Sequence, residues 1–340
     1  MSGDRIRGAF AGLAVGDAAG WPASRHRAAL HAPWSRRLHR ELDAFAEEHG
    51  VTTLPVPFAL NQPTAPLAVG PSDDAEWLAW TALTIDRPRA EAFRELGAGR
   101  ASGFRARISV VTALDNLAKG LEPPASGHDN PHHFDDAAAV RAVAFGALGR
   151  DPTQDAQVTN AADGVLGAQA MAAAVAEAVA TGSVARAVEA ALAVLPQDTA
   201  IGHNARVALA VARAAGDPFA AVPALDAALL DHVYSYGVGA AQTVPVALAL
   251  AEVSGGELGR AVPAAVCLAA LADSAPALTG ALAGACGGYD AIPEGWTASA
   301  RTLAGCCLPD LAGVDLIELA SNLTDNRTGN FTGTFTEGNA

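Results

Sequence analysis

LAALADSAPALTGALAGACGGYDAIPEGW, residues Leu268–Trp296, reads as helix at its centre. From Pro276 to Cys286 apolar residues recur at helical spacing, and between them stand Ala and Gly. Small residues in that pattern let two helix backbones approach closely, so this stretch belongs in a tightly knit multi-helix core. The rest of the chain has the same character. Ala dominates, hydrophobic residues make up 51%, aromatics only 5%, and β-branched runs are scarce, so the local preference is helical throughout.

Helical periods fall at Asp4–Val15, Ser35–Glu48, Asp73–Ile85, Phe104–Lys119, Asp136–Leu148, Thr153–Ala180 and Ser183–Val194. They continue at Gly202–Ala214, Phe219–Tyr234, Ala240–Val253, Glu257–Ala270, Pro276–Cys286 and Ala298–Cys307. Breakers separate them: Gly182 closes one helix before Ser183 opens the next, and Gly216 precedes an Asp217 cap with Pro218 at the first helical position. No stretch alternates as a strand would, and no fixed period of 20 to 50 residues suggests a solenoid. The expectation is a single all-α domain over 1–320. Two segments stand apart: the Pro-, Gly- and His-rich loop Leu121–Phe134, and a polar tail from Ser321 to Ala340 with little apolar surface to bury.

A net charge of −14 and a pI near 5.0 exclude a phosphate-backbone binder, so no nucleic-acid partner is expected. Arg36, Arg37 and Arg40 read as a solvated helix face. The first ten residues lack a signal-peptide core, Asp17 interrupts the apolar run that follows, and no long charge-free apolar run occurs. A cytoplasmic protein without a membrane partner is expected. Cys267, Cys286, Cys306 and Cys307 show no zinc spacing and read as small buried residues.

Asp73 and Asp74, in GPSDDAEWLAW (Gly70–Trp80), stand side by side at a helix start in a chain with 17% charged residues. Capping is one reading: Ser72 or Asp73 as N-cap, with Glu76 placed as in a capping box. The other is a set of hard oxygen ligands for a divalent cation such as Mg²⁺.

Four motifs in order bear on that choice: RGAFAGLAVGDAAGWP (Arg7–Pro22), SDDAEW at Ser72, DDAAAVRAVAFGALG (Asp135–Gly149) with GVGAAQTVPVALAL (Gly237–Leu250), and the Leu268–Trp296 block. Together they resemble the ADP-ribosylglycohydrolase family from about Arg5 to Trp296. The last block overlays without a gap on the family's G-G-D-T-D-T, G-A-L-x-G-A-x-x-G and I-P-x-x-W. The resemblance implies a compact orthogonal multi-helix bundle in which acidic motifs from opposite ends of the chain meet at a Mg²⁺ site. There the metals orient ribose hydroxyls and a water at the anomeric carbon. Ser72, Asp73, Asp74, Asp273 and Ser274 would be the metal ligands, and Asp73, Asp74 and Asp273 the catalytic carboxylates. One ion is expected rather than two, because Leu271 stands where the family has its first Asp.

Other departures are Ser24 at the position of a family Glu, Asp136-Ala137-Ala138-Ala139-Val140-Arg141 in place of N-G-A-A-M-R, and Asn160 in place of a His. Substrate-binding candidates are Asp17, Asp136, Arg141, Asn160, Tyr236 and Gly237. Asp17 reads equally as the turn residue after a helix ending at Gly16. Arg141 needs an anion, either a ligand phosphate or a neighbouring Asp. Tyr236 reads as a stacking surface or as a core tyrosine. His128, His132 and His133 read as a solvated loop, and Trp296 as packing.

The expected activity is a Mg²⁺-dependent N- or O-glycohydrolase cleaving the ribosyl C1 bond of an ADP-ribose-like or smaller ribosyl nucleotide, or of an ADP-ribosylated substrate. Two alternatives stand beside it. One is a catalytically inactive member serving as a binding or structural module. The other is a salvage-type N-glycosidase acting on a free nucleoside, which the acids at Asp135 and Asp136 would tolerate better than a pyrophosphate.

Overall fold

The structure, a computed structural model, describes residues 2–30, 48, 50, 70–101, 103–230 and 237–325. Among these the elements are helices, with two isolated bridges, Asp135 to Gly239 and Thr302 to Asp315. They are α1 (Ser2–Leu30), α2 (Asp73–Leu83), α3 (Arg89–Ala98), α4 (Ile108–Ala118), α5 (Ala125–His128), α6 (Ala137–Ala147), α7 (Thr153–Thr159) and α8 (Asp163–Thr181). There follow α9 (Val184–Val194), α10 (Ala200–Ala215), α11 (Pro218–Leu229), α12 (Ala240–Val253), α13 (Leu258–Cys267), α14 (Ala275–Gly287), α15 (Glu294–Ala300) and α16 (Leu316–Asp325).

The core is built on the pair α1 and α14. Gly8, Gly12, Gly16 and Gly20 recur every four residues and form one ridge of α1. Antiparallel to it, the carbonyls of Gly284, Gly280, Pro276 and Ala272 lie where Cβ atoms on those glycines would stand, 2.0 to 2.2 Å away. The two backbones are therefore in direct contact. This explains why α1 does not end at Gly16: those glycines make the contact rather than a turn. The register also sets the start of α14, and with it Asp273 and Ser274, beside the Gly16–Gly20 turn of α1.

Three other expectations change. The predicted helix Thr153–Ala180 divides at Asn160, where the backbone is extended (φ −131°, ψ 165°), and Ala162 takes a positive φ of 47° before α8 begins. The predicted helix Ala298–Cys307 is replaced by α15 and an irregular stretch, whose amides are used elsewhere. The tail is helical as far as Asp325, past the expected boundary at Ser321, while residues 326–340 lie outside the described residues. So do most of Ser35–Glu48 and the end of Phe219–Tyr234. Of the cysteines only Cys307 is buried, and Cys267 is exposed. Helix α8 is long and apolar enough to cross a membrane, but its small-residue faces pack on α6 and α9. Trp296 is 39% exposed and, with Val15, Val262 and Val266, lines an apolar cavity of about 410 Å³.

Candidate active site

Helix α2 has no side-chain cap of its own. Its N-terminus is capped from a distance by Asp17, which is buried in the middle of α1 and accepts hydrogen bonds from Ser72 N (2.7 Å) and Ala75 N (3.0 Å). The Ser72 hydroxyl also donates to Asp17. Glu76 makes no capping box; its carboxylate accepts from Cys306 N, Cys307 N and Leu308 N at 2.7 to 2.8 Å, the amides that the irregular stretch after α15 leaves free. Glu76, Cys306 and Cys307 are close enough to share a metal ion, but those three amides already occupy both oxygens of Glu76. With capping done by Asp17 and Glu76 turned away, Asp73 and Asp74 are free for other work.

They meet Asp136 and Asp273 around one side chain that the motifs did not point to, Arg107. Its Nη2 lies 3.0 Å from Asp74, 3.5 Å from Asp273 and 3.9 Å from Asp73, and donates to the Ser274 hydroxyl, while Nη1 bonds Asp136. Acids some two hundred positions apart in sequence thus converge on one guanidinium. The segment before α4 delivers this arginine. Arg105 N donates to Cys307 O (2.8 Å), Phe104 packs edge-on against Trp77 of α2, and Arg107 itself is the extended N-cap of α4. Periodicity assigned Phe104–Lys119 to one helix and hid it. A signal was present: a cation at a helix N-terminus opposes the macrodipole and needs carboxylates from outside its own helix.

Asp136 is held by its own amide, which donates to Val238 O (2.9 Å), and the Gly237–Gly239 loop lies against it. Gly237 adopts φ 78° with Ala270 O in the place of a Cβ, so the loop is fitted closely there. Asn160 is a structural clamp: its amide donates to His133 O, Asp135 O and Asp135 Oδ1 at 2.9 to 3.1 Å. Arg141 is not aimed at the cluster. It is buried in the core and bonds Asp155 (2.7 Å) and Thr159 (2.7 Å), so the neighbouring-Asp alternative is the one realised. His133 Nδ1 pairs with Asn130 O within the loop. Tyr236 lies outside the described residues.

Burial dominates the electrostatics. It pushes Asp136 up to about 7, against the pull of Arg107, and raises Asp73 and Asp74 as well. Burial also works against the charge on Arg107, but the surrounding carboxylates hold its pKa well above the ordinary range. Asp17 is pushed up to about 8 by burial and by Asp73, against its hydrogen bonds. Unfolded, Asp17 releases its proton near 3.8. Between those values the folded state binds more protons, so this group makes stability fall as pH rises from about 4 to about 8. Asp17→Asn is expected to flatten that fall by up to about 1.4 kcal/mol per pH unit, read from urea midpoints across the window. Parallel curves for the two proteins would refute it.

The oxygen-rich set expected for Mg²⁺ surrounds the Arg107 guanidinium. Its chemistry suits a hard cation, and Asp74 Oδ2 is buried with no hydrogen-bond partner. The space, however, is held by the Arg107 guanidinium, and the Ser72 hydroxyl is engaged by Asp17 and Asp73. A dication cannot share oxygens with a fixed guanidinium without strong repulsion, so the set as folded does not fit the metal.

The sequence model of the ADP-ribosylglycohydrolase family matches residues 2–330. A solved structure described as an ADP-ribosylglycohydrolase-related protein complex superposes with a TM-score of 0.57 at 19% identity, covering 95% of this chain and 98% of that one. No functionally curated protein matches. The chain belongs to the ADP-ribosylglycohydrolase family, and its fold is the family's all-α fold.

Proposed function

We propose that this family member hydrolyses the C1 bond of a ribosyl substrate by paired carboxylates. The observation that carries the reading is the convergence of Asp73, Asp74, Asp136 and Asp273, with graded access to solvent. Asp74 and Asp136 are 2% and 0% exposed, whereas Asp73 and Asp273 are 18% and 32% exposed. The outer pair is therefore the one that reaches a substrate, and the inner pair holds Arg107.

Both outer carboxylates lie within 4 Å of one Arg107 nitrogen, close enough to act as a pair across a single glycosidic bond. Burial raises Asp73, with Asp273 adding to the effect and Arg107 opposing it, so Asp73 is suited to carry the proton. In the proposed step the C1–N or C1–O bond breaks with its electron pair leaving on the base or alcohol, which takes the proton from Asp73. Water adds to C1 and gives its proton to Asp273. The negative charge around the site favours the oxocarbenium-like transition state.

The same charge argues for the substrate class. Asp135 and Asp136 stand at the segment that the resemblance places over the family's N-G-A-A-M-R loop for phosphate and ribose, and acidic side chains there disfavour a pyrophosphate. The better-matched substrate is a nucleoside-type or other ribosyl compound without a pyrophosphate at this loop.

A thermal-shift titration with ADP-ribose and with adenosine, run beside a ribose-release assay, tests the reading. A bound ligand at about 100 times its dissociation constant should stabilise the protein by roughly 2.7 kcal/mol, with adenosine acting at the lower concentration. Asp73→Asn should slow ribose release by about 10² or more. Neither ligand shifting the wild type, with no ribose released, would leave a catalytically silent module.

A further inference from the structure

We propose that Arg107 is the resident cation of this site, taking the place a divalent metal would occupy and holding Asp73, Asp74, Asp136, Asp273 and Ser274 in position with no metal bound. The proposal rests on the reading above only for what the site does; the assignment of its cation stands on geometry alone.

Three observations carry it. The first is position: a single guanidinium lies within 4 Å of all four carboxylates and bonds the Ser274 hydroxyl, so it stands at the point where the two distant acidic motifs converge. The second is enclosure. The Arg107 side chain is 9% exposed, in contact with two carboxylates that are themselves almost fully buried, so it is not a surface side chain resting on an open cluster. The third is construction. The strap that carries it is fixed at two points ahead of Arg107, by the Arg105 amide on Cys307 O and by Phe104 on Trp77. Cys307 N in turn bonds Glu76 on the same helix that presents Asp73 and Asp74. Arginine, strap and acids are thus joined in one framework.

The chemistry of the two cations differs in ways that can be measured. A guanidinium is planar, always charged and built into the chain, so its grip on the acids is independent of metal supply and of chelators. Mg²⁺ requires near-octahedral oxygens at about 2.0–2.1 Å and could enter only if Arg107 left.

Calorimetric titration of the 340-residue chain with Mg²⁺, and its melting with Mg²⁺ or EDTA, decide the matter without using turnover. The wild type is expected to show no saturable uptake and the same melting temperature in both solutions. Arg107→Gln is expected to melt lower in EDTA, and to bind Mg²⁺ at least about a hundredfold more tightly than the wild type, since a unit charge within 4 Å of the ligand oxygens is gone. Saturable Mg²⁺ binding by the wild type, with a raised melting temperature, would overturn the proposal even if Arg107→Gln fails to fold. Ribose release assayed with Mg²⁺ and again in EDTA separates the two readings: no release in either solution would count against hydrolysis, whereas release that requires Mg²⁺ would overturn the assignment of the cation.

Discussion

Replacing Asp155 with alanine is expected to remove about 5 kcal/mol of folding stability, a large part of the roughly 5–15 kcal/mol that a native domain holds. Asp155 is 1% exposed on α7 and divides its carboxylate between two arginines, accepting from Arg89 Nε of α3 (2.9 Å) and Arg141 Nε of α6 (2.7 Å). Neither cation can turn to water. Arg89 lies over the Trp80 ring at 5.1 Å, Arg141 over Phe93 at 5.1 Å, and each already has one buried nitrogen without a partner. Breaking one buried pair costs about 3–5 kcal/mol because the surviving charge is stranded; here two are stranded at once. Urea unfolding measures it. Asp155→Asn, which keeps an acceptor but loses the charge, should fall between alanine and the wild type. Arg141→Met leaves Asp155 paired with Arg89 and should cost less than Asp155→Ala. It should also leave the response to ribosyl ligands intact, which an arginine serving a ligand phosphate would not. A loss below about 1 kcal/mol for Asp155→Ala would mean that both guanidiniums reach solvent.

The same arginine shows how far the chain could be read before its structure was known. A lone cation in the apolar run Ala137–Ala147 demands an anion, and that demand was legible; which anion was not, because Asp155 comes from a different helix. The helical class was legible because Ala-rich periodicity is local. The meeting of Asp73 and Asp74 with Asp273 was legible only through the motifs that resemble the family, since no local pattern joins residues so far apart in sequence. Arg107 escaped because its role is set by the strap that carries it, and an arginine ahead of ISVVTAL looks like the first turn of an amphipathic helix. Asp17 was weighed as a turn residue because glycines usually end helices. Here Gly16 and Gly20 mark a contact between helices instead, a distinction that depends on the partner helix.

That contact carries the second large effect. Gly12→Ala is expected to destabilise the protein by about 3 kcal/mol or more, although alanine is the better helix former by about 1 kcal/mol. The added Cβ would stand 2.0 Å from Gly280 O, and the obstacle is backbone on a buried helix, not the end of a side chain that could swing aside. The two helices must separate. Gly280→Ala meets Gly12 O at 2.0 Å and forces the same separation from the other side. The double variant should therefore cost much less than the sum of the singles, with a coupling of about 1–3 kcal/mol in a double-mutant cycle. Strict additivity would mean that each site relaxes locally and that the helix pair does not move as a unit. The consequence reaches the acid cluster, because α14 starts directly after Ser274 and Asp273, and α1 carries the Asp17 that caps the helix of Asp73 and Asp74. Pushing α14 away from α1 moves Asp273 relative to Asp73, and paired carboxylates tolerate little change in spacing. Gly12→Ala should then weaken the thermal response to ribosyl ligands even at temperatures where the protein remains folded. Gly259→Ala, in α13 where a Cβ meets nothing within 4 Å, should raise stability by up to about 1 kcal/mol and leave the response unchanged.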